Sequence, residues 1–518
     1  LKYEDSLKRY LRNTYPSVIN KVSVTESSIE IVGNCVGEGH FYLGEIPPYL
    51  DVTKIDKAPY KVELTEASFS IVLDRFIERE GVLYDRLLSK WAIFQMTDLT
   101  DQLASHARHA DEIWASQHLS PITLTSKKGL GGLTANSFIS DLSLLGISSA
   151  TINVCITHFT PKVGDIEHLY GGKTYYMDEE YLNNTLDKVL LEATKKRNIS
   201  VAAIILIDPA SRSVDTGIGE LLQHPDYSEG TYTMPNMTTL ESVNCYAAAL
   251  DFLARRYCRS DNRYGRISHW IMHNEVDGGL SWTNMGVKPV TIFSDTYIKS
   301  MRMCYNIVRQ YDEHAEVFAS FSHSWTDISN VGWYTSKDIV DLLNTYSRVE
   351  GDFQWAMAYH SYAQSLFNPC TWLDPDATYS MDTKYITFKN LEVLNKWALS
   401  KENKYKGTVK RSVWLSEAGV NSPTYSDEDF QKQAAGFAYA WKKINALEGI
   451  DGIQWHNWFD HPGDGACLGL RKYLDATYNG EAKPVWYVYQ KANTEEDEYF
   501  EQFLSVIGIS DWNIIEKF

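Results

Sequence analysis

Over the first 115 residues apolar and polar positions alternate in short runs broken by turn residues. KVSVTESSIEIVG (21–33), GHFYLGEI (39–46), YKVELTEASFSIVLD (60–74) and LLSKWAIFQM (87–96) carry the two-residue period of half-buried strands. After the opening YEDSLKRYL no stretch there has a convincing helical period. The pattern predicts a β-rich, sandwich-like accessory domain over residues 1–115, packed on the remainder of the chain.

From about residue 120 the pattern changes. PITLTSKKG, ATINVCITHF, SVAAIILID, ISHWIMH, AEVFASFSHSW, FQWAMAYHSY, RSVWLSEAG and IDGIQWHNWFD are short apolar runs, each followed by a longer amphipathic segment. Strands buried on both faces read as continuous apolar runs, and these do. Eight such pairs in order predict an α/β fold, a (β/α)8 TIM barrel, over residues 116–518. A doubly wound open sheet would want a phosphate-binding turn after an early strand. GLGGLT (129–134) lacks both the G-x-G-x-x-G register and the Gly-Lys-Ser/Thr ending, and reads as a turn.

Barrel chemistry sits at the C-terminal ends of the strands. The last polar or aromatic residues there are His158 on the second strand and Asp208 on the third. Asn274 and Glu275 end the fourth, His323 and Trp325 the fifth, His360 and Tyr362 the sixth. Glu417 ends the seventh, and Trp455, His456 and Trp458 the eighth. Two glutamates on the fourth and seventh strands suit a retaining glycosidase. That chemistry needs one carboxyl to protonate the leaving oxygen and one to attack the anomeric carbon, about 5–5.5 Å apart. Their environments must differ, so that one is protonated while the other is ionised.

Composition narrows the partners. A formal charge of -18 disfavours binding to a phosphate backbone, and no apolar run is long enough to span a membrane. The 33 tyrosines and 15 tryptophans are many; some belong in the core, and a surplus on a concave surface would suit sugar faces. The seven cysteines are scattered, with no C-x-x-C, and read as isolated thiols. Histidines 158, 323, 360, 456 and 461 raise a metal-dependent barrel hydrolase as one alternative. The first strand lacks a His-x-His, however, and the fourth offers Asn-Glu where a bridging Lys would stand. A catalytically silent carbohydrate-binding barrel is the other alternative, and it would be expected to lack one carboxylate. Neither a metal nor a cofactor is required, because two carboxylates supply the proton and the nucleophile.

The barrel stretch resembles clan A of the retaining glycoside hydrolases, and the whole pattern is more closely similar to a bacterial family of uncharacterised barrel proteins, DUF5722. HNE (273–275) is similar to the clan's Asn-Glu ending of the fourth strand, WLSEAG (414–419) to its W-x-x-E-x-G setting, and HSY (360–362) to its His-x-Tyr. The resemblance implies Glu275 as acid/base, Glu417 as nucleophile, and Asn274 on the sugar 2-hydroxyl. It further implies Tyr362 or His360 orienting Glu417, and Trp455 or Trp458 as the platform under the reacting sugar. It also implies an oligosaccharide or polysaccharide substrate and an extracytoplasmic location. The sequence departs from the clan at the second strand, where CITHF places His158 in the region of a clan arginine, with a substrate hydroxyl as its expected partner. Insertions at 160–177, 209–236 and 363–382 are long enough to wall the cleft and favour a pocket. Sugar identity and oligomeric state are not written in these patterns.

Overall fold

The structure, a computed structural model, describes residues 2–328, 330–495 and 497–515. A helix, Lys2–Arg12, opens the chain and buries Leu7, Tyr10 and Leu11 on one face. Ten strands come next: β1 (Val18–Val24), β2 (Ser28–Asn34), β3 (Phe41–Ile46), β4 (Lys61–Leu64), β5 (Ser68–Asp74), β6 (Phe76–Arg79), β7 (Val82–Asp85), β8 (Lys90–Gln95), β9 (Gln102–Leu103) and β10 (Glu112–Ile113). They form two four-stranded sheets, ordered β10-β1-β2-β5 and β4-β3-β8-β9, and a β6-β7 hairpin. Ile19, Val22, Ile29 and Ile31 of the first sheet pack with Leu43, Trp91 and Ile93 of the second. The alternation expected of a half-buried strand is clearest in β2, where Ile29 and Ile31 are buried and Ser28 and Glu30 are not. The long runs 21–33 and 60–74 each divide into two strands, at the polar turns Thr25–Ser27 and Thr65–Ala67.

The rest of the chain builds a closed parallel barrel. Its strands are β11 (Lys128–Leu130), β12 (Ser149–Cys155), then after a hairpin of β13 (Ile166–Tyr170) and β14 (Lys173–Met177), β15 (Ser200–Leu206), β16 (His269–Met272), β17 (Glu316–Phe321), β18 (Trp355–Tyr359), β19 (Val413–Ala418) and β20 (Gly452–Trp455). β20 closes on β11, pairing Gly129 with Gln454 and Leu130 with Trp455. Ala202, Ile204, Ile271, Ala356 and Ala358 fill the barrel interior around Phe318 and Trp414, whose ring centroids are 5.2 Å apart. Small residues on neighbouring strands leave room for those two rings, so the barrel is packed below its mouth. Helices Leu240–Tyr257, Val290–Val308, Ser336–Glu350, Leu391–Leu399, Asp427–Ala446 and Pro484–Lys491 accompany the strands.

Two expectations need correction. PITLTSKKG supplies only the short β11, because residues 121–127 lie outside the ladder. The insertion at 160–177 does not wall the mouth with its tip. It forms the β13-β14 hairpin, whose Gly171 and Gly172 turn at φ of 56° and 73°, and Gly171 accepts a hydrogen bond from Leu83 of β7 at 2.9 Å. It therefore ties the barrel to the N-terminal sheets. Among the described residues no helix is long and apolar enough to cross a membrane. All seven cysteines are free.

Candidate active site

β16 ends at Met272, and the chain then turns sharply. His273 is buried and anchors the turn. One ring nitrogen meets the Ile205 carbonyl at 2.7 Å and the other the Ser300 hydroxyl at 2.9 Å. Burial holds its imidazole down at about 4, so it is a neutral brace and not an acid. Asn274 comes next, half-buried, and then Glu275 with a left-handed φ of 36°. A non-glycine residue in that region costs free energy, and such residues gather where a side chain must be aimed. The Glu275 N–H is held by the Ser320 hydroxyl at 3.0 Å.

The Glu275 carboxylate accepts from His360 Nδ1 at 2.8 Å and from the Trp282 indole N–H at 3.1 Å. Burial pushes this carboxyl up. The hydrogen bond and charge of His360, aided by His323 and the indole, outweigh that and hold it below the usual carboxylate range. For His360 burial works downward, while Glu417 and Glu275 raise it above the ordinary imidazole value. His360 is 1% exposed and lies 3.9 Å from Glu417 Oε2, so it stands between the two carboxylates.

Glu417 owes its direction to an irregularity in β19. Trp414 faces the barrel interior and Leu415 the outer core. Strict alternation would send Glu417 outward with Leu415. The pairing with β20 slips between Leu415 and Ala418, a bulge that re-aims the side chain. Glu417 Oε1 accepts from the Tyr362 hydroxyl at 3.0 Å. Burial and the Glu417 charge push that phenol well above its ordinary pKa, so it remains a donor. One carboxylate oxygen each from Glu275 and Glu417, and a ring nitrogen of His360, all lie within 4.8 Å of one another.

Around this pair the structure sorts the other expected residues. His158 closes a short 3-10 turn after β12, with Nε2 at 2.6 Å from Asp208 Oδ2 and Nδ1 at 3.3 Å from the Tyr181 hydroxyl. A hydrogen bond to Cys155 outweighs burial and, with Asp208, pushes the imidazole up to about 9. His456 lies just past β20 with Nε2 at 3.6 Å from Asp464. Burial lowers its pKa, but Glu417 and Asp464 raise it by more. His360 bonds Glu275, and Tyr362 donates to Glu417.

The three expected tryptophans are not at the mouth. Trp455 is fully buried, donates to the Leu468 carbonyl at 2.9 Å and packs edge-on against Phe437 and Tyr489 of the outer helices. Trp458 is also fully buried and donates to Asp141 at 3.0 Å. Trp325 lies in the core, with its indole on the Met381 carbonyl at 3.0 Å. Each indole N–H is consumed by a buried acceptor, which fixes the ring in the scaffold.

The half-buried rings near Glu275 are others. Trp282 ends a single helical turn, Gly279–Trp282, that folds back over Glu275, and Tyr232 stacks on it at 6.1 Å. The GGLSW segment follows Glu275 closely in the chain, and its single short turn leaves Trp282 near enough to donate to Glu275 Oε2. Asp277 was also missed. It accepts from the Ser322 N–H at 2.9 Å and from the Ser322 and Ser336 hydroxyls, and burial, with the Glu275 charge, pushes it up to about 7. Among the described residues two groups could hold a metal by donor type: Glu275 with His360 and Glu417, and Cys155 with His158 and Asp208.

None of the curated proteins matches the sequence. Among solved structures, the chain is similar to a family 39 glycoside hydrolase from the gut symbiont Bacteroides cellulosilyticus WH2, at 16% identity and a TM-score of 0.45, over 93% of this chain and 83% of that one. It is similar to a β-D-glucuronidase of Dictyoglomus thermophilum at 12% identity and a TM-score of 0.36, over 92% and 68%. A family 1 β-glucosidase from Thermotoga maritima gives 12% identity and a TM-score of 0.42, over 69% and 85%. The model of a family of unknown function, DUF5722, matches residues 121–515, which takes in all eight barrel strands and every residue of the site, and the chain belongs to that family.

Proposed function

We propose that the protein is a retaining glycoside hydrolase that acts through Glu275 and Glu417. The observation that carries this is the approach of the two carboxylates. One oxygen of each lies within 4.8 Å of one of the other's, an approach that supports the short spacing of a retaining pair over the about 6.5–9.5 Å of an inverting one. Glu417, bonded by Tyr362 and set by the bulge in β19, attacks the anomeric carbon. Glu275 protonates the leaving oxygen, and then activates water against the glycosyl ester. Its proton comes from His360 across their 2.8 Å hydrogen bond. Asn274, beside Glu275, contacts the sugar. Trp282 and Tyr232 take the stacking role first expected of Trp455 and Trp458. An oligosaccharide or polysaccharide is the substrate class.

The test compares Glu417→Ala with Glu275→Ala on an activated aryl glycoside of the right sugar. Glu417→Ala should lose turnover of natural substrate, and azide should yield a glycosyl azide of inverted configuration. Glu275→Ala should keep the first step when the leaving group needs no proton, with azide rescuing the second step and retaining configuration. Exchanged anomeric outcomes in the NMR spectrum would reverse the two roles. Wild-type rates in either variant would remove that residue from the mechanism.

A further inference from the structure

The mouth carries a second group of chemically capable side chains that the two-glutamate chemistry does not use. The Cys155 thiol, a ring nitrogen of His158 and a carboxylate oxygen of Asp208 lie within 4.8 Å of one another. We propose that these three side chains hold a divalent ion of the zinc class at the rim of the barrel mouth.

Neighbouring strands deliver the donors. β12 ends at Cys155, the turn Ile156–His158 brings the imidazole back beside it, and Asp208 lies just past the end of the adjacent β15. Thiolate, imidazole and carboxylate together form a borderline-soft set, which suits zinc over calcium or magnesium. The atoms that would face away from the ion are already tied. His158 Nδ1 meets the Tyr181 hydroxyl at 3.3 Å, and Asp208 Oδ1 accepts from Arg212 at 3.0 Å. Thr157 Oγ1 accepts the Asp208 N–H at 3.0 Å and stands 3.3 Å from Cys155 Sγ. Partners of that kind orient metal ligands and fix the histidine tautomer.

The fit requires a small opening. His158 Nε2 and Asp208 Oδ2 are 2.6 Å apart, and a tetrahedral ion bonded to both would spread them to about 3.3 Å. The exposed imidazole, at 41%, can move that far, while the Asp208 side chain, at 8%, stays fixed. A fourth coordination position then faces the mouth, open to water or to an oxygen of a bound molecule. Tyr232, packed against the interior cluster that contains Cys155, stacks on Trp282, which donates to Glu275. Both groups lie at the C-terminal ends of barrel strands, β12 and β15 for the ion and β16 and β19 for the glutamates, so the ion would hold a ligand at the same mouth without entering its bond-breaking.

The test is a titration of the metal-stripped full-length protein with Co²⁺, followed by Zn²⁺ competition. The expected result is one equivalent of Co²⁺ per chain and a near-ultraviolet sulfur-to-cobalt charge-transfer band that Zn²⁺ abolishes. Cys155→Ser, near-isosteric and checked for folding by circular dichroism, should bind without the band. Tyr181→Phe, which removes only an outer partner, should weaken binding by on the order of 10–100-fold while keeping the band. Absence of the band in the wild type would overturn the proposal. So would a band that survives in Cys155→Ser, which would place the metal on another thiol. Because the readout is metal and not turnover, failure here leaves the glycosidase reading standing, and the reverse also holds.

Discussion

Glu275 and His360 share one proton across 2.8 Å, and the titration of that proton belongs to the pair. With His360 raised and Glu275 lowered, the resting pair is carboxylate and imidazolium, and in the proposed mechanism the imidazolium stores the proton for the leaving oxygen. His360→Asn removes the store. The basic limb of kcat/KM should move to lower pH, because the proton is then lost from the carboxyl alone. Turnover of substrates with poor leaving groups should fall by about 10²–10⁴-fold, and activated aryl glycosides should suffer less. A basic limb that stays in place, with only KM altered, would reduce His360 to a steric brace. The pair of glutamates was legible in the sequence, since each ends a strand whose apolar run is continuous. The partners were legible only in part. HSY placed His360 and Tyr362 at the mouth, but which of them serves which glutamate depends on side-chain reach across three strands. The tryptophans were misread for a physical reason. Indole is equally at home on a sugar or in a core, and its destination is decided by acceptors such as Asp141 and the Leu468 carbonyl, which lie far away in sequence or in an irregular loop.

At the level of elements, helix Ser336–Glu350 joins the two parts of the molecule. Thr335 caps its start by accepting from the Asp338 N–H at 3.1 Å, and Ile339, Val340, Leu343 and Tyr346 bury one face. Its last residue is an acid, which the helix dipole disfavours at that end. Tertiary partners override the dipole. Glu350 accepts from Lys90 Nζ of β8 at 2.8 Å and from the Tyr10 hydroxyl of the first helix at 2.7 Å, and His109 Nε2 lies 3.5 Å away. Burial opposes ionisation here, but Lys90 and His109 together hold this carboxyl well below the carboxylate range. Glu350→Ala would leave the buried Lys90 ammonium unpaired, at a cost of about 3–5 kcal/mol. Lys90→Met in the same chain should recover much of that. Urea unfolding of the two variants checks both statements, and a single-variant loss below about 1 kcal/mol would mean that the joint is effectively solvated. No local pattern announces such a joint, because Glu350 looks like any helix-terminal glutamate until Lys90 and Tyr10 arrive. The bulge in β19 is similar: WLSEAG identifies the strand, but the slip that turns Glu417 inward exists only in its pairing with β20. Strands β12 and β15 to β20 were readable because both of their faces are covered. β11 was overestimated because PITLTSKKG has strand-like residues without a partner for most of its length.

Over the whole molecule, buried histidines set how stability responds to pH. Burial lowers His109 and His269 to about 3, and His224 and His273 to about 4. Unfolded, each would take up a proton near 6.5. As pH falls through 6.5, the unfolded chain therefore binds protons that the folded chain refuses, and stability declines, by up to about 1.4 kcal/mol per pH unit for each histidine fully engaged. Glu350 adds to this below about 4.5, where its depressed carboxyl loses its advantage. Asp277 opposes it. Raised to about 7, that carboxyl favours the folded state at low pH and loses its contribution as pH rises. Four histidines outweigh it on the acid side. On the alkaline side the sign reverses for His158, raised to about 9, and for His360 and His456. Their contributions are complete below 6.5 and are lost as pH passes their folded values. The melting temperature should therefore peak near neutrality, fall between pH 6.5 and 4.5, and fall more gently above pH 8. His273→Gln removes one of the four refusing groups, so it should lower the peak yet flatten the acid slope by about one proton. Thermal melts of the two proteins across that range decide the matter. Parallel acid slopes would show that His273 is charged in the fold, and would overturn its reading as a neutral brace.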